Sequence, residues 1–279
     1  MKSAVRILSL LIAAALVFSL CGCFGSPRKN DETKNESRTA DDAEPTSKET
    51  AGPEPSGQEA EDAPYTVVAL ADAAAGDVVV FGTYEQDGNA ANGKEPLEWL
   101  VLAKEGGSLF MITLYGIERM QFHSALSKVT WETSAVRAWL NGAFLDDAFS
   151  PEEKAKINTS AVVAEPHPDY PKSPAGNDTE DKVFLLSLQE VTQYLPEKQD
   201  RRCSPTAAVV ASANVFSAAN RPWYAKHDYV CSWWLRTPGT FKDLYVSYVD
   251  HGGSVSAGGQ VYLEGTDLCV RPALWVSLN

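Results

Sequence analysis

Three short apolar runs, DVVVFGT (residues 77–83), LEWLVL (97–102) and LFMIT (109–113), decide how the folded part of this chain begins. Each run has the length of a strand and is rich in β-branched or aromatic residues, and Gly- and Asn-rich turns separate the runs. We predict a strand at each. The folded part therefore begins as a block of strands.

Helix-start signals follow the strands. Residues 150–153 (SPEE) and 187–190 (SLQE) place Ser three residues before Glu, which predicts a capping box at each position. Ser134 precedes apolar residues at helical spacing, and Asn141-Gly142 is the predicted end of that helix. Ser204-Pro205 indicates one more short helix.

The last part of the chain returns to strand patterns. We predict strands over residues 230–236, 244–249, 254–256 and 270–276, with Gly252-Gly253 as a hairpin turn between the second and the third. Strands, then helices, then strands in separate blocks predict an α+β domain.

The first 22 residues have the pattern of a lipoprotein signal peptide. The apolar run at residues 7–20 has about 14 residues, which is too short to cross a bilayer as a stable anchor. Leu20 and Gly22 stand at the positions of a lipobox before Cys23. We expect cleavage before Cys23, lipidation of its thiol and display on the outer face of the cell membrane. An ordinary signal peptide, with Cys23 an incidental thiol, is the alternative.

We predict that residues 23–64 are a disordered tether. Residues 26–64 contain no Val, Ile, Leu, Met or aromatic residue, and they have 11 acidic against 5 basic side chains. Residues 65–279 hold all seven tryptophans and form the predicted globular domain. The whole chain has a formal charge of −13 and a pI near 4.8, which argues against a nucleic-acid partner.

Patterns of known catalytic sites are absent from the sequence. Residues 88–94 (GNAANGK) have the spacing of a phosphate-binding loop, but Glu95 stands where Ser or Thr would hold magnesium, so we interpret them as a surface loop. The four histidines lack metal-ligand spacing. We predict no catalytic residues.

Residues 177–181 (NDTED) gather three carboxylates, whose oxygens are ligands that calcium prefers. Asp178 and Asp181 are the candidate calcium ligands. A solvated turn with side chains bonded to the backbone explains the same pattern and is favoured. No other cofactor is expected.

The connection over residues 214–228 is a candidate ligand-binding loop. Trp223, Tyr224 and His227 lie in it, and flat aromatic rings can stack on sugar or peptide surfaces. Trp233 and Trp234 are neighbours in a predicted strand, so at most one of them can line a given surface, and we predict both as structural residues of the core.

Three cysteines remain if Cys23 carries lipid: Cys203, Cys231 and Cys269. A disulfide between Cys231 and Cys269 is one interpretation. Three small buried thiols are the other.

Many short segments resemble, in the same order, a bacterial family described as a domain of unknown function, DUF6273. The resemblance covers roughly residues 76–276. Its main segments are 76–77 (GD), 81–86 (FGTYEQ), 98–102 (EWLVL), 130–134 (TWETS), 139–141 (WLN), 177–187 (NDTEDKVFLLS), 233–239 (WWLRTPG) and 270–275 (VRPALW).

The resemblance implies a fold distantly similar to C-type lectins and formylglycine-generating enzymes, with Arg236 and Arg271 as structural residues that bind carboxylates or carbonyls between strands. It implies no catalytic residues. We therefore expect a non-catalytic binding module whose ligand is a glycan, a peptide or a protein. An oxidase that binds copper through two thiols and a spacer domain without a ligand are the alternatives.

Overall fold

The computed structural model describes residues 65–125, 127–212, 230–240, 244–261 and 268–279. All of these residues belong to one compact unit, Glu59–Asn279. The strands are β1 Val78–Tyr84, β2 Glu95–Glu105, β3 Ser108–Thr113, β4 Glu118–Arg119, β5 Ser160–Val162, β6 Thr179–Asp181, β7 Val183–Phe184, β8 Trp233–Pro238, β9 Tyr245–Val249, β10 Val255–Val261, β11 Cys269–Val270 and β12 Ala273–Ser277. The helices are α1 Ala135–Trp139, α2 Leu145–Ala148, α3 Pro151–Lys156, α4 Leu188–Tyr194, α5 Lys198–Arg201 and α6 Ala207–Ser212, and a π-helical segment, Leu140–Phe144, joins α1 to α2.

The first sheet has the order β1-β2-β3-β12-β7, and all its neighbours are antiparallel. The three strands predicted at the start of the domain are therefore confirmed. The C-terminal strand β12 inserts between β3 and β7, where Leu274 pairs with Met111 on one side and with Val183 on the other. This insertion ties both ends of the domain into one sheet.

The second sheet has the order β10-β9-β8-β11-β4. The predicted turn at Gly252-Gly253 joins β9 to β10, and Gly253 has the positive φ of 81° that such a turn requires. Strand β11 is parallel to β8, with Cys269 in register with Trp233. A separate pair, β5 and β6, forms a small antiparallel ladder.

Two predicted helix starts are confirmed in detail. The side chains of Ser150 and Ser187 each accept a hydrogen bond from the backbone N–H three residues later, and the Glu at that position bonds back to the Ser backbone N–H. The helix expected from Ser204-Pro205 begins later, at Ala207. The capping-box hydrogen bonds join residues only three positions apart, so the sequence pattern alone predicts them.

The predicted helix end at Asn141-Gly142 is wrong, because the helical segment continues to Ala148. The Asn141 side chain bonds both to its own helix, where Nδ2 donates to the Arg137 carbonyl at 3.2 Å, and to the neighbouring strand. Its Nδ2 donates to the Val183 carbonyl at 2.8 Å, and its Oδ1 accepts from the Lys182 N–H at 2.9 Å. The Asn141 side-chain amide, which would otherwise favour a turn, is thus used in a tertiary contact.

The core buries tryptophans whose ring nitrogens donate to backbone carbonyls, except for Trp131, which donates to the Asp181 carboxylate. Trp99 donates to Phe81 at 2.7 Å, and Trp233 and Trp234 donate to Arg201 and Met120, each at 3.0 Å. Both faces of β8 are covered, because neighbouring Trp233 and Trp234 are each 0% exposed. Neither ring is therefore available to line a ligand surface.

The α+β prediction is confirmed as a single domain of mixed helices and sheets. The relation to C-type lectins stays a prediction. The predicted signal peptide, Cys23 and the tether lie outside the described residues. Within the part of the chain that the structure describes, no helix is long and apolar enough to cross a membrane.

Candidate functional site

A cavity of about 480 Å³ lies beside the β1–β2 hairpin and the start of α6. We call it the acidic pocket. Its volume falls in the range of small-molecule sites. Its described lining residues are Val80, Gln86, Asp87, Glu95, Pro96, Glu98, Tyr115, Pro205, Thr206 and Ala207.

One end of the acidic pocket is formed by the loop between β1 and β2. Side-chain oxygens of Glu85, Asp87 and Glu95 lie within 4.8 Å of one another. Glu95 accepts from the Gln86 N–H at 2.6 Å, and Glu85 accepts from the Gly88 N–H at 2.8 Å. The carboxylates therefore fold the loop around themselves, with backbone N–H groups as their partners.

Asp87 carries its negative charge at neutral pH. The Asn92 side chain donates to one of its oxygens at 2.7 Å, and the Asn89 N–H donates to the other at 2.7 Å. These hydrogen bonds, the Asn92 bond first, lower the pKa of Asp87 below its ordinary value.

Two tyrosines form a hydrogen-bonded group with Glu98, a carboxylate of the pocket wall. The Tyr65 hydroxyl donates to Glu98 at 2.8 Å and lies 2.9 Å from the Tyr115 hydroxyl. Burial, assisted by these two partners, raises the pKa of Tyr65 above its ordinary value. Because Tyr65 uses its single proton on Glu98, Tyr115 donates to Tyr65 in this arrangement.

The pocket combines negative charge with apolar walls. Asp87, Glu95 and Glu98 are carboxylates, and no Lys or Arg is present among its described lining residues. Val80 and Pro96 add apolar surface beside these charges. Such a cavity can hold a small cation that also has an apolar part, and it would repel an anion.

A larger cavity of about 630 Å³ lies against α4 and has a different character. Glu165 is the single carboxylate among its described lining residues, which also include Pro166, Pro168 and Leu188. Polar groups that converge on one point distinguish ligand sites from mere grooves. The acidic pocket has that feature, so we take it as the candidate site despite its smaller volume.

The predicted calcium ligands are not among the described residues that line either of these two cavities. Asp178 accepts from the Ala164 N–H at 2.8 Å. Asp181 is buried and accepts from Arg137 at 2.7 Å, Trp131 at 2.9 Å and Thr179 at 2.6 Å. Both oxygens of Asp181 are thus occupied by protein donors, and calcium binding by Asp178 and Asp181 stays a prediction.

The other predicted ligand residues, Trp223, Tyr224 and His227, lie outside the described residues. Arg236 makes contacts of the predicted structural kind: it forms a two-pronged ion pair with Glu190, with one N–O distance of 2.9 Å, and donates to the Leu185 carbonyl at 2.8 Å.

Arg271 is buried in the short connection between β11 and β12. Its Nε donates to the Thr113 carbonyl at 2.7 Å, and its guanidinium lies 5.2 Å from the centre of the Trp233 ring. The cation–π contact and the single carbonyl bond suit the predicted structural role.

The three cysteines are all free and buried. Cys231 lies close to both other cysteines: it faces Cys203 in an isolated antiparallel bridge, and its sulfur and that of Cys269 both lie beside Gly116. Of the two interpretations made from sequence, the structure has the buried thiols, and the bridge between Cys231 and Cys269 is not formed.

Sequence reasoning missed the acidic pocket. Glu85, Asp87 and Glu95 are visible in the sequence as an acidic loop, but the pattern around them predicts only a surface loop. Tyr115 and Pro205 come from distant parts of the chain, and no sequence pattern joins them to that loop.

A protein-family model described as "Domain of unknown function (DUF6273)" matches residues 106–278, which is more than half of the chain. The chain belongs to this family. The DUF6273 match begins after β2, so the segments at residues 76–102 that also resembled the family lie outside it. The acidic loop is likewise outside the match, whereas Tyr115 and Pro205 lie within it. No curated protein and no solved structure matches the chain.

Proposed function

We propose that this DUF6273 protein is a lipid-anchored, extracytoplasmic and non-catalytic binding module whose ligand is a small organic cation. The acidic pocket carries the proposal, because it brings three carboxylates and apolar surface to one cavity of ligand size. The formal charge of −13 adds long-range attraction for a cation.

The pocket suggests how such a ligand would be oriented. An ammonium group would lie near Asp87 and Glu95, where it donates hydrogen bonds to carboxylate oxygens. An alkyl portion would pack on Val80 and Pro96. A carboxylate at 4 Å stabilises a cation by about 1 kcal/mol in water and about 4 kcal/mol near a protein surface.

Hexylamine is a suitable probe because it has one ammonium group and an apolar chain. We expect the full chain to bind hexylamine in isothermal titration calorimetry more tightly than hexanol, and to show no binding of hexanoate. The three probes differ mainly in the charge of the head group. Equal affinity for hexylamine and hexanol would contradict the proposal.

Single substitutions locate the site. Glu95→Gln and Glu98→Gln each remove one negative charge and keep an oxygen that can accept the existing hydrogen bonds. Each should weaken hexylamine binding by about tenfold, which corresponds to about 1.4 kcal/mol. Glu105→Gln is the matched control, because Glu105 is exposed and is not among the residues that line the pocket. An equal loss in the control would mean that the effect is one of net charge.

The lipid anchor rests on residues 20–23 and is tested separately. Cys23→Ala should release the protein from the membrane or leave its precursor unprocessed. Membrane retention and globomycin-sensitive processing that are unchanged in this variant would refute the anchor. They would not bear on the pocket.

The lectin-like relation supports a second contact region in the loop at residues 214–228. If a glycan or peptide ligand is found in an array screen, Trp223→Ala together with Tyr224→Ala should reduce its affinity. Unchanged affinity would exclude this loop as a contact.

The oxidase alternative is favoured by one observation, the proximity of three thiols, two of which could hold copper. The surroundings of the thiols do not fit an active site. Cys203, Cys231 and Cys269 are at most 3% exposed, and neither of the two cavities described above is lined by a cysteine. Titration of the reduced protein with copper(I) against a competing chelator distinguishes the alternatives: tight binding by two cysteines would support the oxidase. A spacer domain would bind no probe at all.

A further inference from the structure

Three separate parts of the chain bring Cys203, Cys231 and Cys269 together in the interior. Cys203 and Cys231 face each other in an isolated antiparallel bridge, and the Cys231 N–H donates to the Cys203 carbonyl at 2.7 Å. Cys269 begins β11 and donates its N–H to Ser232 at 2.8 Å. Cys231 therefore lies between the other two cysteines.

Gly116 leaves the space that the sulfur atoms occupy. A Cβ atom at Gly116 would lie 3.0 Å from the Cys231 sulfur, 3.1 Å from the Cys269 sulfur and 2.7 Å from the Cys269 Cβ. These distances are shorter than ordinary van der Waals contacts, so a side chain at Gly116 would collide with the thiols. The thiol cluster is thus a packed feature of the core.

A buried positive charge accompanies the cluster. Arg271 is 2% exposed, and its Nη1 has no hydrogen-bond partner. Within the described part of the chain, Arg271 forms no ion pair with a carboxylate.

Burial and Arg271 act in opposite directions on the thiols. Burial raises the pKa of Cys203 and of Cys231, whereas the charge of Arg271 lowers both. Burial outweighs Arg271, so the pKa of both thiols lies well above its ordinary value in the folded protein. The thiolate, which is the form of cysteine that attacks disulfides, therefore forms more readily before the two cysteines are buried.

We propose that Cys203 and Cys231 form an intramolecular disulfide when the protein folds in the presence of a small-molecule or protein disulfide, and that Cys269 stays reduced. Residues that face each other as a hydrogen-bonded antiparallel pair have Cα atoms about 5.5 Å apart, within the range that a disulfide spans.

Cys269 is placed less well for the same reaction. It is in register with Trp233, two residues beyond Cys231, so Cys231 and Cys269 are diagonal neighbours. With a rise of about 3.3 Å per residue and about 4.8 Å between neighbouring strands, the Cα atoms of such neighbours are about 8 Å apart, which exceeds the usual Cα separation of a disulfide.

The reaction consumes one disulfide of the oxidant. The Cys231 thiolate attacks one sulfur of the oxidant, forms a mixed disulfide and releases the first oxidant thiolate. The Cys203 thiolate then attacks the Cys231 sulfur and releases the second. The two cysteines are oxidised, the oxidant is reduced to two thiols, and the two cysteine protons end on those thiols.

The disulfide would close residues 204–230 into a covalent loop. Pro205, Thr206 and Ala207, which line the acidic pocket, lie inside this loop. Oxidation would therefore link the chain segment that begins this wall of the pocket covalently to Cys231. The inference itself does not depend on what the pocket binds.

The test uses the full chain with Cys21→Ser and Cys23→Ser, so that three cysteines remain. The protein is unfolded in urea and refolded in oxidised and reduced glutathione, because refolding gives the oxidant access to thiols that are later buried. Free thiols are blocked with iodoacetamide in urea, the disulfides are reduced, and the released thiols are labelled with N-ethylmaleimide.

Peptide mapping by mass spectrometry should find N-ethylmaleimide on Cys203 and Cys231 and iodoacetamide on Cys269. The intact oxidised chain should have lost two hydrogen atoms. The control Cys269→Ala should keep the disulfide, and Cys203→Ala should abolish it. Iodoacetamide on all three cysteines, a glutathione adduct as the main product, or a bridge between Cys231 and Cys269 would each overturn the proposal.

Discussion

Asp181 is the residue at which the structure and the calcium interpretation make opposite predictions. The change Asp181→Asn keeps the size of the side chain and removes its charge. In the folded protein this charge is fully buried and accepts from Arg137, Trp131 and Thr179. An Asn amide would turn an NH₂ group towards at least one of these donors.

The expected loss follows from these contacts. Removal of one partner of a buried ion pair costs about 3–5 kcal/mol. The Arg137 side chain is 26% exposed, so water compensates part of its lost partner. We therefore expect the free energy of unfolding to fall by about 3 kcal/mol. With a urea dependence of about 2–3 kcal/mol per molar, the midpoint falls by about 1–1.5 M.

Urea unfolding followed by tryptophan fluorescence measures this change, and Trp131 bonds directly to Asp181. The matched control is Asp146→Asn, which breaks the exposed ion pair with Lys154 and should cost at most about 1 kcal/mol. A loss at Asp181 no larger than the control would refute the structural role. If calcium raises the wild-type midpoint and Asp181→Asn abolishes that increase, the calcium interpretation is right.

Three further predictions concern stability. Burial lowers the pKa of His167, so below about pH 6.5 the unfolded chain takes up a proton that the folded protein does not. The free energy of unfolding therefore decreases as the pH is lowered through this range. His167→Asn keeps an acceptor for the local N–H groups and should flatten this dependence in urea titrations from pH 7 to 5. Gly82→Ala should lower the free energy of unfolding by about 2 kcal/mol or more, because Gly82 has a φ of +77° and a new Cβ would lie 2.7 Å from neighbouring atoms. Gly142→Ala, where a new Cβ would meet nothing within 4 Å, should leave the free energy of unfolding unchanged or raise it by up to about 1 kcal/mol. Equal urea midpoints for the two variants would contradict this prediction. A disulfide between Cys203 and Cys231 should raise the free energy of unfolding by about 3–4 kcal/mol through its loop closure, a gain that must vanish in Cys203→Ala.

The sequence by itself determined the local features of this domain. The capping boxes at Ser150 and Ser187 and the turn at Gly253 form as their patterns predict, because each depends on bonds or backbone angles within a few residues. The early strands were also visible, since their apolar runs are continuous and bounded by turn residues.

The tertiary structure decided everything that depends on distant partners. Strand β12 lies between β3 and β7, and the helical segment passes Asn141 because its side chain bonds to the neighbouring strand. The acidic pocket joins Glu95 to Pro205, and the thiol cluster surrounds Gly116. Hydrophobic periodicity reports whether a residue is buried, but it does not report which distant residue covers it, and packing settles that choice only when the whole core forms.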